Sequence, residues 1–167
     1  GRDTAVTSGK DFLKQTSDKI SGSNAKIATI CGRVYAMDRE KRFDRVEKAY
    51  NLYVNGEGDY FEDCQEAIKK KKKKGITDEF VEPIVIEESG RIKNGDSVIF
   101  FNYRSDRARE MTFALTDPNF AEFKTEKMNN LLMTPMQEYA KELAHLNTIY
   151  PPKIVEDNLA KSFPEKT

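Results

Sequence analysis

The run VIFFNYRSDRAR, from Val98 to Arg109, constrains this chain more than any other stretch. Four consecutive apolar residues, Val98, Ile99, Phe100 and Phe101, predict a strand buried on both faces. Asn102 and Tyr103 end it, and Arg104, Ser105, Asp106 and Arg107 follow at once. Asp106 is placed to cap a helix that continues through Ala108, Met111 and Ala114. In a parallel sheet, a strand running into a helix N-terminus marks the carboxyl edge, where ligands bind. Helix N-termini favour anions, and two arginines add to that bias. The stretch therefore predicts a phosphate or carboxylate site.

Other elements follow from local pattern. Ser8 is a candidate cap for a helix with Phe12, Leu13, Thr16 and Ile20 on one face, closed by Gly22. Lys26 to Cys31 reads as a strand that ends at Gly32 and Arg33. Phe43, Val46, Ala49, Tyr50 and Tyr53 recur at helical spacing, so a helix is expected from Phe43 to Val54. Asp59 with Glu62 matches a capping box for a helix ending in the lysine run and Gly75. Ile84 to Ile86 is a short strand, and Leu131 to Met133 another. Thr134 with Gln137, and Pro135 at the first helical position, predict a helix toward His145, before Tyr150-Pro151-Pro152 breaks it. Strands alternating with helices define an α/β class on a largely parallel or mixed sheet.

Composition narrows the function. Lysine plus arginine and aspartate plus glutamate each number 28, which argues against nucleic-acid binding. No apolar run is long enough to span a bilayer, so no membrane partner is expected. The N-terminus lacks the basic segment and apolar core of a secretory signal. Cys31 and Cys64 read as free thiols, which with the missing signal predicts a cytoplasmic location. The opening Gly-Arg-Asp-Thr has no methionine and predicts an excised or processed segment.

Three basic segments fall in loops: Arg2 beside Asp3, Arg33 with Arg39, and Arg104 with Arg107. If the last two follow neighbouring parallel strands, they converge on one sheet edge. At about 4 Å and an effective dielectric near 20, each arginine pair repels by roughly 4 kcal/mol. Convergence then requires acidic partners, for which Asp3, Asp38 and Asp106 are available, or an anionic ligand. The competing reading is that these arginines form ordinary surface ion pairs. Lys69 to Lys74 is read as a solvated face, with a nucleic-acid or acidic-protein adaptor as the lesser alternative. His145 has no triad around it, and Phe100, Phe101, Phe113, Phe120 and Phe123 are expected in the core.

GRDT, CGRVYAMDREKRFDRVEKAY from Cys31, VNGEG from Val54, TDEF from Thr77 and SVIFFNYRSDRARE from Ser97 occur in this order. Together they closely resemble cofactor-independent phosphoglycerate mutases, which need no 2,3-bisphosphoglycerate. The resemblance implies a three-layer α/β/α sandwich whose sheet lacks strands preceding residue 1. It implies residues 1–133 as a transferase, or substrate-binding, domain and 134–167 as an exit linker toward a phosphatase domain. That domain would carry two divalent ions, commonly manganese, and a serine nucleophile. The parent reaction interconverts 3-phosphoglycerate and 2-phosphoglycerate through a phosphoserine; a noncatalytic module binding phosphate or carboxylate is the alternative. Carried over by motif, Arg2, Asp3, Arg33, Arg39, Arg104 and Arg107 would hold the substrate, with Asp3 as general base. Val34, Phe43 and Ser105 depart from the family's usual aromatic, tryptophan and proline, and none removes a charge.

Overall fold

Helix packing against a short parallel strand pair builds the larger core. The computed structural model describes residues 3–153. Its elements are α1 (Gly9–Ile20), β1 (Thr29–Ile30), α2 (Arg33–Ala36), α3 (Phe43–Val54), β2 (Asp59–Tyr60), α4 (Cys64–Lys73), β3 (Ile84–Val85), β4 (Ser97–Phe100), α5 (Arg109–Thr116) and β5 (Leu132–Pro135). Three 3-10 turns join them, at Asp78–Phe80, Glu88–Gly90 and Lys141–Leu143. This is the expected α/β class. Among the described residues the strands form two small sheets rather than one: β1-β3-β2, with β1 antiparallel and β2 parallel to β3, and the parallel pair β4-β5. No helix among the described residues is long and apolar enough to cross a membrane.

Helix α3 has the predicted bounds because its apolar residues form one stripe. Val46, Ala49, Tyr50 and Val54 pack on Met111, Ala114 and Leu115 of α5 and on Met133 of β5. The Tyr50 ring is fully buried, and its hydroxyl accepts the Glu126 amide at 2.8 Å, so the polar tip is satisfied. A second cluster joins Ala67 and Ile68 of α4 to Val81 and Ile84.

Several local expectations give way to tertiary partners. Ser8 does not cap α1 with its side chain; its hydroxyl donates to the Ala5 carbonyl. The Gly9 amide instead donates to Asp78 Oδ2 at 2.6 Å, a cap supplied from across the fold. The capping box for α4 lies four residues later than expected. Asp63 Oδ1 accepts the Glu66 amide at 2.8 Å, while Asp59 and Tyr60 pair with β3 as a strand. Lys71 departs from the solvated lysine face: it is 4 % exposed, and its Nζ lies 2.8 Å from Asp59 Oδ2. Glu82 Oε2 is 3.5 Å from the same ammonium.

The strand β4 is not buried on both faces. Val98 and Phe100 face the core, whereas Ile99 is 65 % and Phe101 83 % exposed. Register pairs Ser97 with Leu132 and Ile99 with Thr134, so Leu132 shares the outward face. The predicted helix from Thr134 is also absent. Thr134 and Pro135 complete β5, and Tyr139 and Leu143 are buried against Ala108. Packing therefore continues past residue 133, because the Tyr139 hydroxyl reaches the carbonyls of Phe100 and Asn102 at the end of β4. Residues 154–167 of the expected exit linker lie outside the described residues.

Gly32 precedes α2, where its amide donates to the Val81 carbonyl at 2.7 Å. A Cβ there would stand 2.4 Å from the Glu79 carbonyl oxygen and 2.7 Å from Val81 N. Gly75, just past α4, has φ +76° but nothing within 4 Å of such a Cβ. Gly32→Ala should thus cost about 3 kcal/mol, the upper range for overpacking. Gly75→Ala should cost only the left-handed backbone term of about 1 kcal/mol. Urea unfolding of the two variants checks the ranking, and equal midpoints would refute it.

Candidate anion site

The arginines come together through Asp106. Arg39 Nη1 donates to Asp106 Oδ2 at 2.9 Å, and Arg104 Nη2 donates to the same oxygen at 3.1 Å. The Arg39 bond, followed by the nearby charges of Arg104 and Arg107, holds the Asp106 carboxyl below the ordinary aspartate range. Asp106 is therefore an ion-pair hub and not the helix cap predicted for it. Helix α5 starts at Arg109, after Ala108, with no side-chain cap. Two elements meet here: the 3-10-like turn before α5, and the loop from Met37 to Arg42 between α2 and α3.

Arg107 fastens these elements together. Its Nη1 donates to the Met37 carbonyl at 2.8 Å, across 70 positions of sequence. The loop is further shaped by buried Asp38, whose Oδ2 accepts the amides of Glu40 at 2.8 Å and Arg42 at 3.1 Å. Lys41 adopts left-handed backbone at φ 58°, and its amide donates to Glu110 Oε1 at 3.0 Å. A side-chain position is thus held by backbone contacts on both sides of it. Arg39 projects from the loop half exposed, and Arg104 is mostly exposed.

The remaining predicted residues do not join this hub. Arg33 turns to Glu79, with Nε at 2.9 Å and Nη2 at 2.8 Å from Oε1. Asp3 is exposed, has φ 62°, and makes no polar contact among the described residues. Arg2 lies outside the described residues. A hollow of about 370 Å³ beside the hub is lined by Arg39, Lys41, Asp106, Glu110, Phe113 and Phe120, but not by Arg104 or Arg107. Sequence reasoning missed Glu79, and it missed the Met37 carbonyl, since any residue can offer one. His145 is exposed, and burial pushes the Cys31 thiol up to about 12, which removes it as a nucleophile at neutral pH.

Residues 1–141 match the family model described as BPG-independent PGAM N-terminus. The chain belongs to that family. The 2,3-bisphosphoglycerate-independent phosphoglycerate mutase of Clostridium beijerinckii is 45 % identical over 166 residues, covering 96 % of this chain and 32 % of the relative. That of Bacteroides thetaiotaomicron is 41 % identical, covering 99 % of the chain and 33 % of the relative. A crystal structure of Leishmania mexicana phosphoglycerate mutase, determined at low cobalt concentration, superposes with a TM-score of 0.80 at 29 % identity, over 93 % of this chain and 31 % of that one. The chain thus spans about a third of the length of the mutases it matches.

The depressed Asp106 carboxyl fixes a pH signature for this mutase-family corner. Its ion pairs contribute fully above the unfolded value of about 4 and are lost as pH falls through the lower folded value. The urea midpoint of Asp106→Asn should fall short of the unsubstituted chain at neutral pH, and the gap should close in acid. A gap that persists unchanged to low pH would contradict the ion-pair assignment.

Proposed function

We propose that this chain is the substrate-gripping part of a phosphoglycerate mutase, and that Arg39, Arg104 and Arg107 hold a small phosphorylated carboxylic acid. The observation that carries this reading is the gathering of Arg39 and Arg104 on one oxygen of Asp106, with the Arg107 charge beside them. An anion that takes the place of that carboxylate meets donors already assembled, and each charge-assisted hydrogen bond to it contributes roughly 1.5–3 kcal/mol. Arginine suits the task because its planar fork meets carboxylate or phosphate through two parallel bonds. 3-Phosphoglycerate presents both groups on a short carbon chain.

Chemistry follows from grip. In the reading implied by the family, the phosphoryl group passes to a serine outside this chain and returns to the other hydroxyl of the retained glycerate. The arginines keep the glycerate from leaving while its hydroxyls exchange places, and closure of this unit over the rest of the enzyme excludes water. Arg33 and Arg2 would extend the grip, and Asp3 would face a substrate hydroxyl as general base. For Arg33 this requires exchanging Glu79 for substrate. The two divalent ions, manganese in this reading, belong with the serine. Among the described residues no group of three histidine, cysteine or acidic side chains comes together to hold a metal.

The outward face of β4 and β5 supports a partner within the same enzyme. Ile99, Phe101, Leu132, Tyr103 and Tyr150 are exposed large apolar side chains near one another in sequence or register. A patch of that kind is ordinarily covered by protein.

Calorimetric titration of 3-phosphoglycerate into the full mutase tests the grip. Arg104→Ala should weaken binding about ten- to a hundredfold, while Lys14→Ala, on the far surface of α1, should not. Unchanged affinity in Arg104→Ala defeats its role. The isolated chain with manganese should form no 2-phosphoglycerate, and measurable turnover would contradict the division of labour.

A further inference from the structure

Glu110 is a half-buried carboxyl at this corner that the substrate reading does not use. Its Oε1 accepts the Lys41 amide, but its Oε2 is buried with no donor directed at it. The group it does meet is the Asp38 carboxyl, itself buried and already accepting two backbone amides. Two neighbouring carboxyls without a cation between them repel unless one carries a proton. Burial, then the Asp38 charge and hydrogen bond, raise Glu110 above the ordinary glutamate range, against the opposing pull of the Lys41 amide and charge.

We infer that Glu110 is a positioning residue for Arg39: through its bond to the Lys41 amide, beside the buried Asp38 carboxyl, it locks the Met37–Arg42 loop onto α5. The inference rests on the proposed role of Arg39 as an anion ligand. Three facts place Glu110 in control of that side chain. Asp38 and Lys41 flank Arg39 at one and two residues' distance, and both are tied to Glu110. Lys41 sits in left-handed backbone that a lysine adopts only against a cost, so its bond to Glu110 holds a conformation the loop would otherwise leave. Asp106, which receives Arg39, lies one helical turn before Glu110, so both ends of the Arg39 side chain are referred to the same short segment.

The charges around the pair give the sign of its pH dependence. From the loop it faces Asp38 and Lys41, with Arg42 3.9 Å from Asp38 Oδ1 on the other side. Arg39 and Asp106 neutralise one another beside it, and Asp117 and Glu122 line the same hollow from beyond α5. None of these cations bonds the free Glu110 oxygen. A group raised by folding contributes below its unfolded value and loses that contribution as pH rises through the folded one. The loop should therefore loosen on the alkaline side, opposite to the Asp106 ion pairs.

Two measurements on the chain and one on the full mutase decide this. The carbon-13 carboxyl signal of Glu110 should titrate above the ordinary glutamate range. The Lys41 amide should exchange slowly with solvent, lose protection as pH rises beyond the intrinsic rate, and be unprotected throughout in Glu110→Ala. Glu110→Gln keeps an acceptor for Lys41 and offers a permanent donor to Asp38, so it should restore the protection and remove its pH dependence. In the full mutase, Glu110→Ala should weaken 3-phosphoglycerate about tenfold, as for a loop competent one-tenth of the time, with Glu110→Gln restoring affinity and flattening its pH profile. Glu110 titrating within the ordinary glutamate range, or Gln behaving as Ala in exchange, overturns the inference. Normal exchange behaviour with no 3-phosphoglycerate binding by the unsubstituted mutase would instead sink the functional reading alone.

Discussion

Asp106 holds two guanidinium groups on one carboxylate oxygen, and the arrangement of the whole corner follows from that. Without it, Arg39 and Arg104 would repel each other at a distance where the unscreened cost is several kcal/mol. With it, the loop after α2 and the turn before α5 are joined by charge, while Arg107 joins them again through the Met37 carbonyl. The two segments are far apart in sequence, so neither contact exists until the α3–α5 core has formed. Packing brings the backbones into register, and electrostatics then selects which side chains meet.

Exposed ion pairs contribute little to stability, and Arg104 is mostly exposed. The corner thus orders its guanidinium groups more than it strengthens the fold. Arg33 shows the same habit at a separate place, where Glu79 holds it at two nitrogens.

The β4–β5 pair has a different logic. Its inner face completes the core through Val98, Phe100 and Met133, and its outer face presents Ile99, Phe101 and Leu132 to solvent. Strands with apolar residues on both sides are built for a sheet covered on both sides. The relatives are about three times as long as this chain.

Much of the local structure was legible in the sequence because it depends on near neighbours. The helical spacing of Phe43, Val46, Ala49, Tyr50 and Tyr53 locates α3, and the RSDR run marks the corner where cations gather. Choices among equivalent donors and acceptors were not legible. Asp106 could have capped α5, Asp59 could have capped α4, and Ser8 could have capped α1; each has the right chemistry, and each was claimed or replaced by a partner distant in sequence. Thr134 and Pro135 read as a helix start, yet a strand bond to β4 was available only once the chain had folded. Local pattern determines which backbone shapes are favourable and which charges are present. Tertiary structure alone decides which of several competent side chains satisfies a given group, since that depends on distances set by packing.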